Sequence, residues 1–130
     1  MVMAHLIIQY TENLDNQVNM TGVCNVMSGV MQKTGFFPLA GIRVRAYPVM
    51  YSSIADEHPE NAFLDMVLRM GEGRTEQQKS TIGADLMAAA EAEFSMQLAN
   101  PYFALSLEII VISKLLSWKN NSIHKRLRPN

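Results

Sequence analysis

The sequence predicts an α+β fold in two layers: two β-α-β units in tandem, forming a four-stranded sheet with both helices on one face. Three observations predict it. Apolar and polar residues alternate on either side of a helical period, first in residues 3–47 and again in residues 62–112. The strand–helix–strand order therefore occurs twice, with a loop over residues 50–59 between the units. The chain of 130 residues, 48% hydrophobic and 18% charged, is long enough to bury one core, so residues 1–130 read as a single domain. Within each unit the strands should run parallel through a right-handed crossover.

The first strand spans residues 3–10, with Ala4, Leu6, Ile8 and Tyr10 on one face and His5, Ile7 and Gln9 on the other. Residues 11–17 are polar and read as a loop. A helix follows over residues 20–34, its apolar stripe drawn from Val23, Val26 and Val30 with Met27 and Met31 beside them. Gly35 suits the left-handed position that closes a helix. Pro38 lacks an amide hydrogen and belongs to the aromatic turn that follows. From Gly41 the alternation resumes, with Ile42, Val44 and Ala46 opposite Arg43, Arg45 and Tyr47.

The second unit opens with a strand over residues 62–70, Leu64, Met66, Leu68 and Met70 facing one way and Phe63, Asp65, Val67 and Arg69 the other. Gly71-Glu72-Gly73 breaks it. Thr75 and Gln78 have the spacing of a capping box, which starts a helix over residues 76–98 with a buried stripe of Ile82, Leu86, Ala89, Ala90 and Phe94. Asn100-Pro101 ends that region, and residues 104–112 form the last strand. The tail over residues 114–130 is basic and holds a short helix after Asn121.

Composition excludes several function classes. A formal charge of −1 gives no general attraction to nucleic acid or to an anionic membrane surface. Cys24, the lone cysteine, leaves no internal disulfide and no cysteine cluster for a metal. No run of 18 apolar residues spans a membrane and no secretion signal is evident, so a cytoplasmic protein is expected. His58 and His124 lack metal-ligand spacing, and the ten methionines read as core filling. Tyr47 and Tyr102 are weaker candidates for an acid.

One face of the sheet carries Ile7, Tyr47, Phe63, Val67 and Ile110 among Arg43, Arg45, Asp65, Arg69 and Glu108. A solvated face would be more polar, and a monomer's core would hold fewer charges. Other copies of the chain are expected to cover it.

The segments TGFFPLAGIRVRAY, AFLDMVLRMGEGRT, LSLEI and KNNSIHKR resemble, in this order, the 5-carboxymethyl-2-hydroxymuconate isomerase family of the tautomerase superfamily. The resemblance covers nearly the whole chain. It implies a tautomerase-like fold, a homotrimer, no cofactor, and enol–keto tautomerisation of an unsaturated dicarboxylic or tricarboxylic acid in homoprotocatechuate breakdown; that no metal is expected follows from the residue spacing above. In that family the base is an amino-terminal proline, and arginines hold the substrate. Ala4 stands at the matching position here, preceded by three residues that should form a flexible extension. Arg43 and Arg74 match the arginines as catalytic and substrate-binding residues, and His5 is a further substrate contact.

Arg74 also sits at a strand–helix junction, where free N–H groups favour an anion. The alternative is that Arg43 and Arg74 bridge to Asp65, Glu108 or Glu72; Arg45 and Arg69 are read as structural. Because the proline is replaced, two other functions stand beside the isomerase. One is a related tautomerase acting on another keto acid, the other a non-catalytic carboxylate-binding trimer.

Overall fold

Alternation along the first strand, β1 (Ala4–Thr11), decides which side of the molecule is core. Ala4, Leu6, Ile8 and Tyr10 are buried, while His5 and Ile7 are half-buried and Gln9 is exposed. The computed structural model describes residues 3–128. After β1 come α1 (Met20–Lys33), β2 (Ile42–Val49), β3 (Ala62–Gly71), α2 (Glu76–Glu93), α3 (Ser95–Leu98), β4 (Phe103–Ile112) and α4 (Ser122–Leu127). The four strands form one sheet in the order β2-β1-β3-β4. β2 runs parallel to β1 and β4 parallel to β3, and the two pairs meet in an antiparallel seam between β1 and β3.

The even-numbered residues Leu64, Met66, Leu68 and Met70 of β3 join those of β1 in the core. Ile42, Val44 and Ala46 from β2 and Leu105, Leu107 and Ile109 from β4 flank them. Both long helices pack on this face, α1 against β2 and α2, and α2 against β4. The two-layer expectation holds. So does Gly35 as a left-handed helix terminus, with φ of 74°.

Local corrections are small and have physical reasons. In α1 the buried row is Val23, Met27 and Met31, which repeats every four residues; Val26 lies off it and is 38% exposed. Residues 11–17 are not wholly irregular, because Glu12–Asn16 form a 3-10 turn held by the Tyr10 hydroxyl donating to Asp15 at 2.8 Å and by buried Leu14. The long second helix leaves helical geometry at Phe94, whose buried ring stacks on Phe103 at 5.4 Å, so residues 95–98 form the separate turn α3. Among the described residues no helix is long and apolar enough to cross a membrane.

Candidate active site

The parallel and antiparallel registers bring the starts of β1 and β2 and the ends of β3 and β4 to one end of the sheet. There Ala4 pairs with Ile42 on one side and Met70 on the other. Ala4 is fully buried, and its nitrogen is the amide of the Met3–Ala4 bond. An amide nitrogen has no basic lone pair. Met3 is itself ordered and 7% exposed, and its carbonyl accepts a hydrogen bond from the Gly71 N–H at 3.1 Å. Met3 therefore extends the β1–β3 ladder and is no part of a flexible extension; Met1 and Val2 lie outside the described residues.

His5 points away from the helices, between two guanidiniums. Its Nδ1 lies 3.1 Å from an Arg45 nitrogen and its Nε2 lies 3.4 Å from an Arg43 nitrogen. Desolvation first, then the charges of Arg43, Arg45 and Arg69, lower its pKa from 6.5 to about 4. The ring is neutral at cellular pH and offers one acceptor nitrogen. The shorter contact favours Arg45 as the donor to it, which leaves Arg43 the less committed guanidinium.

This arrangement has a pH consequence. The unfolded chain binds a proton at His5 below 6.5, whereas the folded chain resists until about 4. Stability is therefore expected to fall as pH drops through that window. His5→Gln should flatten this part of a urea-denaturation pH profile; equal slopes in both proteins would show that His5 does not contribute.

Arg74 sits in the loop between β3 and α2. Its guanidinium donates to the carbonyls of Glu72 at 3.3 Å and Gly71 at 3.5 Å, and to the Phe36 carbonyl. Its Cζ lies 5.2 Å from the centre of the Phe37 ring. Desolvation lowers its pKa, although a guanidinium stays charged. Arg74 thus ties the β3–α2 loop to the α1–β2 turn. The start of α2 is less open to an anion than expected. Its capping box is made, with Gln78 N–H donating to Thr75 Oγ1 at 3.1 Å and Thr75 N–H to Gln78 Oε1 at 2.9 Å.

Arg43 and Arg74 come to the same end of the sheet, but Arg43 lies on the uncovered face and Arg74 above Phe37 in the loop layer. Among the described residues no hydrogen bond joins them. None of Arg43, Arg45, Arg69 and Arg74 has a carboxylate partner there either; the ion pair found is Lys79–Glu76 at 2.6 Å. The bridges to Asp65, Glu108 or Glu72 are not formed.

Sequence reasoning gave no role here to Met3, Phe36 or the tail. Lys114 N–H donates to Glu72 at 3.3 Å and Asn121 Nδ2 to the Ala40 carbonyl at 2.9 Å, so the tail crosses this end of the sheet. Each contact joins a backbone group to a side chain of a distant segment, for which local sequence carries no signal.

A two-layer sheet of this topology, with an arginine-rich end at the start of β1, defines a tautomerase-fold protein. Residues 4–127 match the family model of 5-carboxymethyl-2-hydroxymuconate isomerase. The chain is 30% identical over 122 residues to the 5-carboxymethyl-2-hydroxymuconate Delta-isomerase of Escherichia coli, covering 94% of this chain and 97% of that protein. The crystal structure of a 5-carboxymethyl-2-hydroxymuconate isomerase from Deinococcus radiodurans R1 superposes with a TM-score of 0.90 at 35% identity, over 98% of this chain and 96% of that one. Another crystal structure, of a 5-carboxymethyl-2-hydroxymuconate delta-isomerase, gives 0.90 at 29% identity, over 98% and 95%. The chain belongs to the 5-carboxymethyl-2-hydroxymuconate isomerase family.

Proposed function

We propose that this protein is an isomerase of the 5-carboxymethyl-2-hydroxymuconate type, interconverting an enol and a conjugated ketone in an unsaturated dicarboxylic or tricarboxylic acid. It acts as a cytoplasmic homotrimer without a cofactor. The observation that carries this reading is the family match over residues 4–127, which begins at the residue that opens β1.

The reaction needs a base to take the enol proton, an acid to return a proton to carbon, and cations for the carboxylates. A single group that is deprotonated and then protonated can do both transfers. In a chain beginning at Ala4, the α-amine has a pKa of about 7.7–8.0 and is partly neutral at cellular pH. Arg43 supplies a guanidinium without a carboxylate partner among the described residues, and Arg74 supplies a second at the same end of the sheet. Neutral His5 lies beside Arg43 as a further polar contact for the substrate.

The test is isomerisation of 5-carboxymethyl-2-hydroxymuconate, followed by absorbance, with the Ala4 terminus confirmed by mass spectrometry. Turnover above the solvent rate, and greater than on 2-hydroxymuconate lacking the carboxymethyl arm, is the expected result. A rate equal to that of buffer overturns the reading.

A further inference from the structure

A tricarboxylic substrate carries one more carboxylate than Arg43 and Arg74 account for. In 5-carboxymethyl-2-hydroxymuconate one carboxylate lies beside the 2-hydroxyl. The other two branch from a single carbon, one directly and one through the carboxymethyl arm. Two anions that diverge from one carbon are best met by two cations side by side. The sheet face away from the helices supplies such a pair. Across the register, Arg43 on β2, His5 on β1 and Arg69 on β3 stand level in one row. The two arginines flank the imidazole, so their Cα atoms are two strand spacings, or about 10 Å, apart. Arg43 already leans inward, with a nitrogen 3.4 Å from His5 Nε2.

Arg69 is half-buried, yet among the described residues it makes no hydrogen bond and no ion pair. Its charge reaches His5, whose pKa falls through desolvation first and then through Arg43, Arg45 and Arg69. Its neighbour on β4 is Ile110, which offers no acceptor side chain. Asp65, farther along β3, accepts from the Ser106 hydroxyl at 2.6 Å. A guanidinium held partly out of water with unpaired donors is costly until an anion meets it. The way to it from the Ala4 nitrogen is short. Ala4 pairs with Ile42 and Met70, and the next residues toward the end of the sheet are Gly41 and Gly71. Neither flanking strand therefore places a side chain between this row and that end. Arg45 is less suited, since it lies one row deeper, level with Ile7, and faces His5 Nδ1 at 3.1 Å.

We propose that Arg69 determines substrate specificity by holding the carboxylate of the carboxymethyl arm. Arg43 then holds the carboxylate that shares its carbon, and Arg74 the one beside the 2-hydroxyl. This assignment rests on the isomerase reading above. It makes one side chain, on the strand beside Ala4, responsible for preferring a tricarboxylic acid to a dicarboxylic one.

Calorimetry on the full chain isolates the arm, with adipate and 2-carboxymethyladipate, the saturated skeletons without and with it, as probes. The wild type should bind 2-carboxymethyladipate about tenfold to a hundredfold more tightly, the range that one charged hydrogen bond supplies. Arg69→Gln should bring the two affinities level by weakening the carboxymethyl probe alone. Arg69→Met repeats the measurement should circular dichroism show that glutamine disturbs the fold. A folded variant that keeps the wild-type ratio overturns the assignment. So does one that weakens both probes equally, or that loses only its assembly in light scattering. A wild type that binds neither probe, or both alike, sinks the tricarboxylic reading of the substrate as well. A discriminating wild type with a discriminating variant sinks the role of Arg69 alone.

Discussion

The full 130-residue form is expected to ketonise a 2-hydroxymuconate-type acid weakly or not at all. A base must be unprotonated, within hydrogen-bond reach and matched in pKa to the working pH. While Met3 is attached the Ala4 nitrogen is an amide, with no basic lone pair and no pKa near the working pH. Among the other groups at this end of the sheet, His5 is neutral but its one acceptor nitrogen faces Arg45, and Arg74 remains protonated. A chain beginning at Ala4 gains an α-amine at the start of β1 and should recover activity, since a positioned acid–base group contributes about 100-fold or more. A chain beginning with proline in place of Ala4 should gain further. The three forms, each with its terminus verified by mass spectrometry, are compared in one absorbance assay. Equal rates in the full-length and proline forms would place the base elsewhere.

The arginines should separate by role. A hydrogen bond to a charged group contributes roughly 1.5–3 kcal/mol. Arg43→Ala and Arg74→Ala should therefore each weaken dicarboxylate binding by about tenfold to a hundredfold. Arg45→Ala, measured under conditions where the trimer persists, should change binding much less. Arg74→Ala also removes the link to the Phe36 carbonyl and the contact with Phe37, so a lower thermal midpoint should accompany its loss of affinity. Calorimetry with a dicarboxylate reads both effects. Equal affinity in all three variants would move the anion site away from Arg43 and Arg74.

The strands were legible because their side-chain period is two and one face is buried, so each apolar parity maps directly onto the core. Leu6, Ile8, Leu64 and Leu68 are examples, all fully buried. The capping box of α2 was equally local, with both of its partners inside one turn. The α1 stripe was less clear. Its valines and methionines surround much of the helix, and only packing against the sheet selects Val23, Met27 and Met31 over Val26. At the site, the positions of Arg43 and His5 follow from strand register and were readable together. The Arg74 contact with Phe36 depends on two loops meeting, which no periodicity encodes. Alternation placed Met3 in the first strand, and only its inclusion in a flexible extension fails. Its order comes from Gly71, a residue 68 positions later in the chain.

That contact from Gly71 to Met3 bears on more than the position of one strand end. Shortening the chain to Ala4 changes two groups together. It frees a nitrogen lone pair, and it strips the Gly71 N–H of the oxygen it now points at. A half-buried amide hydrogen is then left to find another acceptor. Beside a newly exposed amine, the nearest candidates are water or an oxygen of whatever molecule enters. Uncapping this end of the sheet thus creates a donor as well as a base, adjacent and on rigid backbone, from the removal of a single residue's carbonyl.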